Sequence, residues 1–186
     1  MGRTKGIHAI WTAYGTWLPG DARGHWSALF DFYGHVLQRG QQLNPPDATT
    51  QTRATSLMRE PQKVLDEEEI RLVTKTLDDY LAPGMPGETW KINATAIERT
   101  HVHLLFGPLN DPIGEVVGRI KSRTSSVLLK LPVNQGRRRI WTTGYWKVFL
   151  FDDNAMAQVA RYISTHGGRR GSRAAPVSWV EDLTDD

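Results

Sequence analysis

Thr100-His101-Val102-His103-Leu104-Leu105-Phe106 is a run of residues with the composition of a β-strand. Successive side chains on a strand point to opposite faces, so His101 and His103 share one face, and Val102 and Phe106 share the other. Two neutral imidazoles on one face supply half of a divalent-metal site. The segment therefore predicts a sheet with one packed face and one face that carries chemistry.

The segments on either side of this strand predict the order β-α-β-β-α-β. Asp66 and Glu69 have the spacing of a capping box, and Pro112 suits the first turn of a helix. Strands are predicted over residues 6–14, 90–98 and 145–151, and helices over 66–82 and 111–131. This order is typical of the ferredoxin-like class of α+β folds, in which an antiparallel sheet carries two helices on one face. We expect His101 and His103 to lie on the opposite, open face.

An additional C-terminal helix is predicted over residues 155–165. Its apolar stripe consists of four residues: Met156, Val159, Ala160 and Ile163. At about 100° per residue, Tyr162 and His166 lie one turn apart on a flank of that stripe. If this helix packs across the open sheet face, both side chains reach the point where His101 and His103 converge.

Length and composition set limits on the kind of protein. The 186 residues predict one domain over 1–186, with an irregular insertion at 25–65 that carries at most short helical turns and a tail at 169–186. The chain has no cysteine, which excludes disulfides and thiolate metal sites. No apolar run reaches membrane-spanning length and residues 1–7 lack an apolar signal core, so we expect a cytoplasmic protein without membrane contact.

The basic residues are distributed unevenly, although the formal net charge is only +3. The segment 119–139 contains no acidic residue, and a second basic cluster lies at 169–173. Such clusters are typical of surfaces that contact a phosphate backbone. The candidate DNA contacts in the first segment are Arg119, Lys121, Arg123, Arg137, Arg138 and Arg139. Trp17, Trp26 or Trp146 are candidates for stacking on unpaired bases.

Three imidazoles and one phenol suggest phosphodiester chemistry on nucleic acid. His101, His103 and His166 are the candidate ligands of Mg²⁺ or Mn²⁺, and Tyr162 is the candidate nucleophile. A His-x-His pair on a strand is weakly specific by itself, as is a tyrosine four residues before a histidine. Their conjunction with the fold order and the basic segments favours one reaction. His8 reads as a structural residue of the first strand.

The motifs as a set resemble those of the single-tyrosine HUH transposases, of the insertion-sequence-200 and REP-associated (RAYT) kind. Three ordered segments carry the resemblance: Tyr14-Gly15-Thr16-Trp17-Leu18-Pro19-Gly20-Asp21-Ala22-Arg23-Gly24, Thr100-His101-Val102-His103-Leu104-Leu105, and Gly144-Tyr145-Trp146-Lys147-Val148-Phe149-Leu150 followed by Arg161-Tyr162-Ile163. The resemblance covers about residues 6–180. It implies a ferredoxin-like nuclease domain that acts on single-stranded DNA near a hairpin.

The resemblance also implies roles for individual residues. His101 and His103 correspond to the metal-binding histidines, and Tyr162 to the tyrosine that forms a 5′-phosphotyrosine bond with DNA. Where this family often has Gln or Asn as a further ligand, this chain has His166. Imidazole is at least as good a ligand, and the change would shift the metal preference towards Mn²⁺ or heavier ions. Related transposases are often homodimers, so a homodimer is a possible assembly.

Other functions remain open at this point. One is a domesticated module that binds DNA hairpins without strand transfer, and another is a metal-dependent nuclease that uses water as its nucleophile. An RNA-binding ferredoxin-like domain is a third, but it would need exposed aromatic residues where this chain has His101 and His103.

Overall fold

The computed structural model describes residues 3–22 and 46–166, and at His166 it describes the backbone only. The elements follow one another as β1 (Gly6–Thr12), α1 (Ala48–Ser56), α2 (Glu67–Leu81), β2 (Ile92–Ile97), β3 (His101–Phe106), α3 (Ile113–Leu128), a 3₁₀ turn (Pro132–Asn134), β4 (Trp146–Leu150) and α4 (Asp153–His166). The predicted strands and helices are all present, with ends that differ by a few residues.

The four strands form one antiparallel sheet in the order β2-β3-β1-β4. In the β1–β3 ladder, Thr12 pairs with His101, Ile10 with His103 and Ala9 with Leu104. With α2 between β1 and β2 and α3 between β3 and β4, both packed on one sheet face, this is the ferredoxin-like arrangement, to which α1 is an addition. The fold class predicted from the sequence is confirmed.

The first sheet face packs against α2 and α3. Val102, Leu104 and Phe106 of β3 are fully buried there, as expected. Trp11 of β1 lies in the same core and contacts Trp141 edge-on, with 6.1 Å between ring centroids. Because alternate residues of β1 and β3 are packed in this apolar layer, the residues between them must point to the opposite face of the sheet.

The second sheet face is covered by α4. Its apolar stripe, Met156, Ala160 and Ile163, is buried against Ala94, Ala96 and Leu105 of β2 and β3. Close approach is possible because two of the facing strand residues, Ala94 and Ala96, are small. At Gly6, any Cβ atom would run into the thioether of Met156. The last helix thus lies on the face of the sheet that carries His101 and His103.

The irregular character predicted for residues 25–65 is wrong for part of that stretch, because Ala48–Ser56 forms α1. Asp47 caps this helix by accepting a hydrogen bond from the Thr49 amide at 3.0 Å. No α1 residue is fully buried, so the helix lacks the apolar stripe from which a helix can be predicted. Residues 23–45, including Trp26, lie outside the described residues.

A charged cluster is buried at the start of α2. Asp66 and Glu69 form the predicted capping box, with the Asp66 amide donating to Glu69 Oε2 at 3.0 Å. Glu69 also accepts from the Lys63 ammonium at 2.7 Å and from the Asn134 amide at 2.7 Å. The side chains of Lys63 and Glu69 are only 5% and 1% exposed. One carboxylate therefore joins the helix start, the preceding loop and the 3₁₀ turn.

Candidate active site

The paired histidines of β3 lie side by side on the sheet face under α4. The His101 and His103 ring centroids are 4.8 Å apart, with the rings at 81° to one another. His103 is buried and His101 is partly exposed, so the pair runs from the protein interior towards solvent. The alternation read from the sequence accounts for this placement.

A third imidazole, from His8 of β1, completes the cluster. His8 Nε2 lies 3.0 Å from His103 Nδ1, within hydrogen-bonding distance, and the rings stack at 5.2 Å and 25°. The sequence predicts a structural role for His8 and does not place it beside the histidine pair, where the structure has it. The alternation of side chains along β1 indicates this position. Ile7, Ala9 and Trp11 belong to the core, so His8 must point to the other face of the sheet.

Both paired histidines have a partner at Nδ1. His103 Nδ1 faces His8 Nε2, and His101 Nδ1 lies 3.1 Å from the Thr100 hydroxyl. A histidine metal ligand commonly has its second ring nitrogen held in this way, which fixes the ring orientation. Two neutral imidazoles are donors that can hold a divalent transition-metal ion, whereas Mg²⁺ prefers oxygen ligands.

Tyr162 of α4 lies beside these imidazoles. Its ring centroid is 5.7 Å from that of His103 and 6.4 Å from that of His8, and both contacts are edge-on. The residue is 47% exposed, so its phenol is accessible from solvent. Partial burial raises the pKa of Tyr162 above its ordinary value of 10.0, so the phenol is protonated at neutral pH.

The third predicted ligand, His166, is the last residue of α4. Its side chain lies outside the described part, so its role as a ligand stays a prediction. Within residues 3–22 and 46–165, no group of three His, Asp or Glu side chains has the spacing to hold a metal ion. A complete protein-derived ligand set would therefore need a further group beside His101 and His103.

The match to a known family agrees with this geometry. A family model described as "Transposase IS200 like" matches residues 58–166, which is more than half of the chain. The chain belongs to the IS200-like transposase family. The matched range includes His101, His103 and Tyr162. A comparison of this IS200-like chain with curated proteins gave no match.

Two solved structures are similar to the IS200-like chain at low identity. One is a REP-associated tyrosine transposase bound to a REP hairpin, with 14% identity and a TM-score of 0.43 over 92% of this chain and 72% of that chain. The other is a candidate transposase from Deinococcus radiodurans R1, with 17% identity and a TM-score of 0.43 over 89% of this chain and 92% of that chain. None of the described helices of the IS200-like chain is long and apolar enough to cross a membrane.

The candidate DNA contacts on α3 differ in their surroundings. Arg119 and Arg123 are exposed, and Arg119 forms an ion pair with Glu115 at 3.0 Å. The Lys121 ammonium instead donates to the carbonyl groups of Thr142, Thr143 and Gly144. Lys121 holds the segment before β4 in place, and a contact with DNA remains a prediction for all three basic residues.

The three consecutive arginines also separate into two kinds. Arg137 is largely buried and donates to the Pro61 and Gln62 carbonyls at 2.9 and 3.1 Å, so it ties residues 61–62 to the segment after the 3₁₀ turn. Arg138 and Arg139 are exposed and line a cleft of about 370 Å³ between α3 and residues 140–145. The sequence showed the charge of all three but not their partners.

Trp17 lies in the loop after β1. Its φ of 58° places a non-glycine residue in the left-handed region, which is uncommon and costs free energy. Trp17 lines a pocket of about 360 Å³ together with Gln51 and Thr55 of α1. Trp146 of β4 lies opposite Ile10 in the sheet, on the histidine face. Arg169, Arg170 and Arg173 fall outside the described residues.

Lys121 gives the stability of the IS200-like chain a pH dependence. Burial lowers the pKa of Lys121 to about 8 from its ordinary 10.5, so folding penalises the charged amine. Below pH 8 the amine is charged in both states. Between pH 8 and about 10.5 Lys121 is neutral in the folded protein and still charged in the unfolded chain. The folded protein then no longer bears the free-energy cost of a buried charge. We expect the wild type to gain stability relative to Lys121→Met as pH rises from 8 to 10.

Urea unfolding of both proteins at pH 7, 8.5 and 10 measures this difference. One proton sets an upper limit of about 1.4 kcal/mol per pH unit, and the partial exposure of Lys121 reduces it. A difference between the two proteins that stays flat from pH 7 to 10 would contradict the lowered pKa.

Proposed function

We propose that this protein cleaves and joins single-stranded DNA, with Tyr162 as the nucleophile. The single observation that carries the proposal is the contact between the partly exposed Tyr162 ring and His103, at 5.7 Å between centroids. A phenol that reaches the edge of an imidazole pair can attack a phosphorus atom bound there. Its partial exposure leaves room for a DNA strand.

His101 and His103 are proposed to hold Mg²⁺ or Mn²⁺, with His166 as a further ligand. When bound, such an ion polarises the phosphodiester and neutralises the charge that develops during attack. The residues themselves bind and orient: β3 fixes the histidine pair, and Thr100 and His8 hold the two Nδ1 atoms.

The proposed chemistry is a phosphoryl transfer from DNA to protein. Tyr162 Oη attacks phosphorus and becomes linked through the phosphate to the 5′ end of the downstream fragment, while the bond from phosphorus to the 3′ oxygen of the upstream fragment breaks. The phenol loses its proton and the departing 3′ oxygen gains one. Because the phosphotyrosine retains the energy of the original bond, attack by a 3′ hydroxyl reverses the step and joins strands.

The substrate is proposed to be DNA with an unpaired segment beside a hairpin, the class implied by the resemblance of the motifs. Exposed cations suited to backbone contacts are Arg119, Arg123, Arg138 and Arg139. Affinity that depends on such contacts falls as salt concentration rises. Because the reaction requires access to cellular DNA, we propose a cytoplasmic protein that is associated with the nucleoid when it is bound to DNA.

An adduct assay tests the proposal. The full-length protein is incubated with a 5′-labelled or 3′-labelled hairpin that has single-stranded flanks, with Mg²⁺, Mn²⁺ or EDTA, and is then run on a denaturing gel. We expect a protein adduct with the 3′-labelled fragment, which carries the phosphate at its new 5′ end, and only in the presence of metal. Cleavage without an adduct would indicate a water nuclease, and binding without cleavage would indicate a hairpin-binding module.

The paired histidines provide a direct prediction for this assay. His101→Ala and His103→Ala remove a ligand each, and we expect either change to lower the rate of adduct formation by about 100-fold or more, since loss of even an outer-sphere partner costs about 10- to 100-fold. Binding of the hairpin in EDTA, measured by fluorescence anisotropy, should change little. An adduct rate within about threefold of wild type in both variants would contradict the assignment of the pair.

A further inference from the structure

We propose that His8 is a positioning residue, which sets the orientation and the tautomer of His103 so that His103 Nε2 can bind a metal ion. The inference rests on the proposed function because a metal is what His103 would bind there. Three observations support it: the nitrogens lie 3.0 Å apart, the rings stack at 5.2 Å, and His8 and His103 are 6% and 3% exposed.

The direction of this hydrogen bond decides what His103 can do. A neutral imidazole has one N–H donor and one acceptor nitrogen, and only the acceptor can coordinate a metal. If His8 Nε2 accepts, the proton of His103 is on Nδ1 and its Nε2 presents a lone pair. If His8 donates, the proton of His103 is on Nε2 and that atom cannot coordinate. His8 must therefore carry its own proton on Nδ1.

Because His8 and His103 are buried, water cannot readily replace the hydrogen bond between them. Both rings lie between the sheet and α4, where water has little access, so a lost hydrogen bond would not be restored by solvent. The β1–β4 ladder places His8 opposite Val148, and the β1–β3 ladder places it opposite Leu105, so its strand neighbours are apolar on both sides. The pairing of β1 with β3 holds the two imidazoles in register.

Two substitutions separate the hydrogen bond from packing. In His8→Gln the side-chain amide oxygen can take the place of Nε2 as acceptor, whereas His8→Leu fills the space without an acceptor. We expect His8→Leu to weaken Mn²⁺ binding by about 10- to 100-fold and His8→Gln to stay within about threefold of wild type. Isothermal titration calorimetry with MnCl₂ on the DNA-free, full-length protein measures this. Ile10→Val is the matched packing control, because Ile10 lies opposite His103 in the ladder.

Nitrogen NMR of the metal-free protein provides a second measurement. We expect neutral His103 to carry its proton on Nδ1 in the wild type and in His8→Gln, and to shift towards Nε2–H in His8→Leu. A wild-type His103 with its proton on Nε2 would overturn the proposal, even if His8→Leu failed to fold. Unchanged Mn²⁺ affinity in a folded His8→Leu would also overturn it. The tautomer is independent of DNA cleavage, so failure of the adduct assay would leave this result standing.

Discussion

Tyr162→Phe is expected to abolish the covalent protein–DNA adduct while hairpin binding remains. The substitution removes only the hydroxyl group, so the ring can keep its edge contacts with His103 and His8. Loss of a nucleophile in other enzymes lowers the rate by several orders of magnitude, and we expect a loss of about 10³-fold or more here. The adduct gel measures it, with MnCl₂ present and hairpin in excess.

Stability should not account for that loss. Tyr162 is 47% exposed and does not belong to either buried core cluster, so the midpoint of thermal unfolding should stay within about 2 °C of wild type. Tyr80→Phe is the matched control, since Tyr80 packs against Trp90 on the other side of the sheet. An adduct that persists in Tyr162→Phe would remove Tyr162 from the reaction.

Lys63→Met is expected to cause the largest loss of stability. It leaves the Glu69 carboxylate buried with hydrogen bonds from Asp66 and Asn134 but without its cation. Removing one partner of a buried ion pair costs about 3–5 kcal/mol, because the remaining charge is uncompensated. For a domain of this length that loss lowers the midpoint of thermal unfolding by about 10 °C. Urea unfolding at pH 7 gives the free energy directly.

Lys75→Met supplies the comparison for this second prediction. Lys75 and Asp79 form an ion pair at 2.7 Å on the surface of α2, with side chains 70% and 60% exposed. Pairs of this kind contribute about 0.3–0.5 kcal/mol, so the variant should remain close to wild type. If Lys63→Met and Lys75→Met lost similar amounts of stability, burial of the Lys63–Glu69 pair would not be what makes it important.

Local sequence patterns predicted the parts of the fold that depend on local rules. The alternation of His101-Val102-His103 gave the two faces of β3, and the Asp66–Glu69 spacing gave the start of α2. The stripe of Met156, Ala160 and Ile163 gave the buried side of α4. In each case a local pattern of apolar residues or a helix cap was enough for the prediction, without any information from distant residues.

The parts that the sequence did not give depend on contacts across the sheet or on specific partners. His8 reaches His103 only through the register of β1 against β3, a relation between residues 95 positions apart. Lys121 and Arg137 have the charge of DNA-binding residues, but each donates to backbone carbonyls of a neighbouring segment. Their charge could be read from the sequence, and their acceptors could not.

The hydrogen atom that stands in place of a side chain at Gly6 determines how deeply α4 is seated. Met156 lies directly on this residue, and Tyr162 follows Met156 by six residues, or about 9 Å along the helix axis. A methyl group at Gly6 would push the first turn of α4 away from the sheet and so tilt the helix axis. The distance between the Tyr162 phenol and the imidazoles thus depends on how the first turn of α4 packs at Gly6.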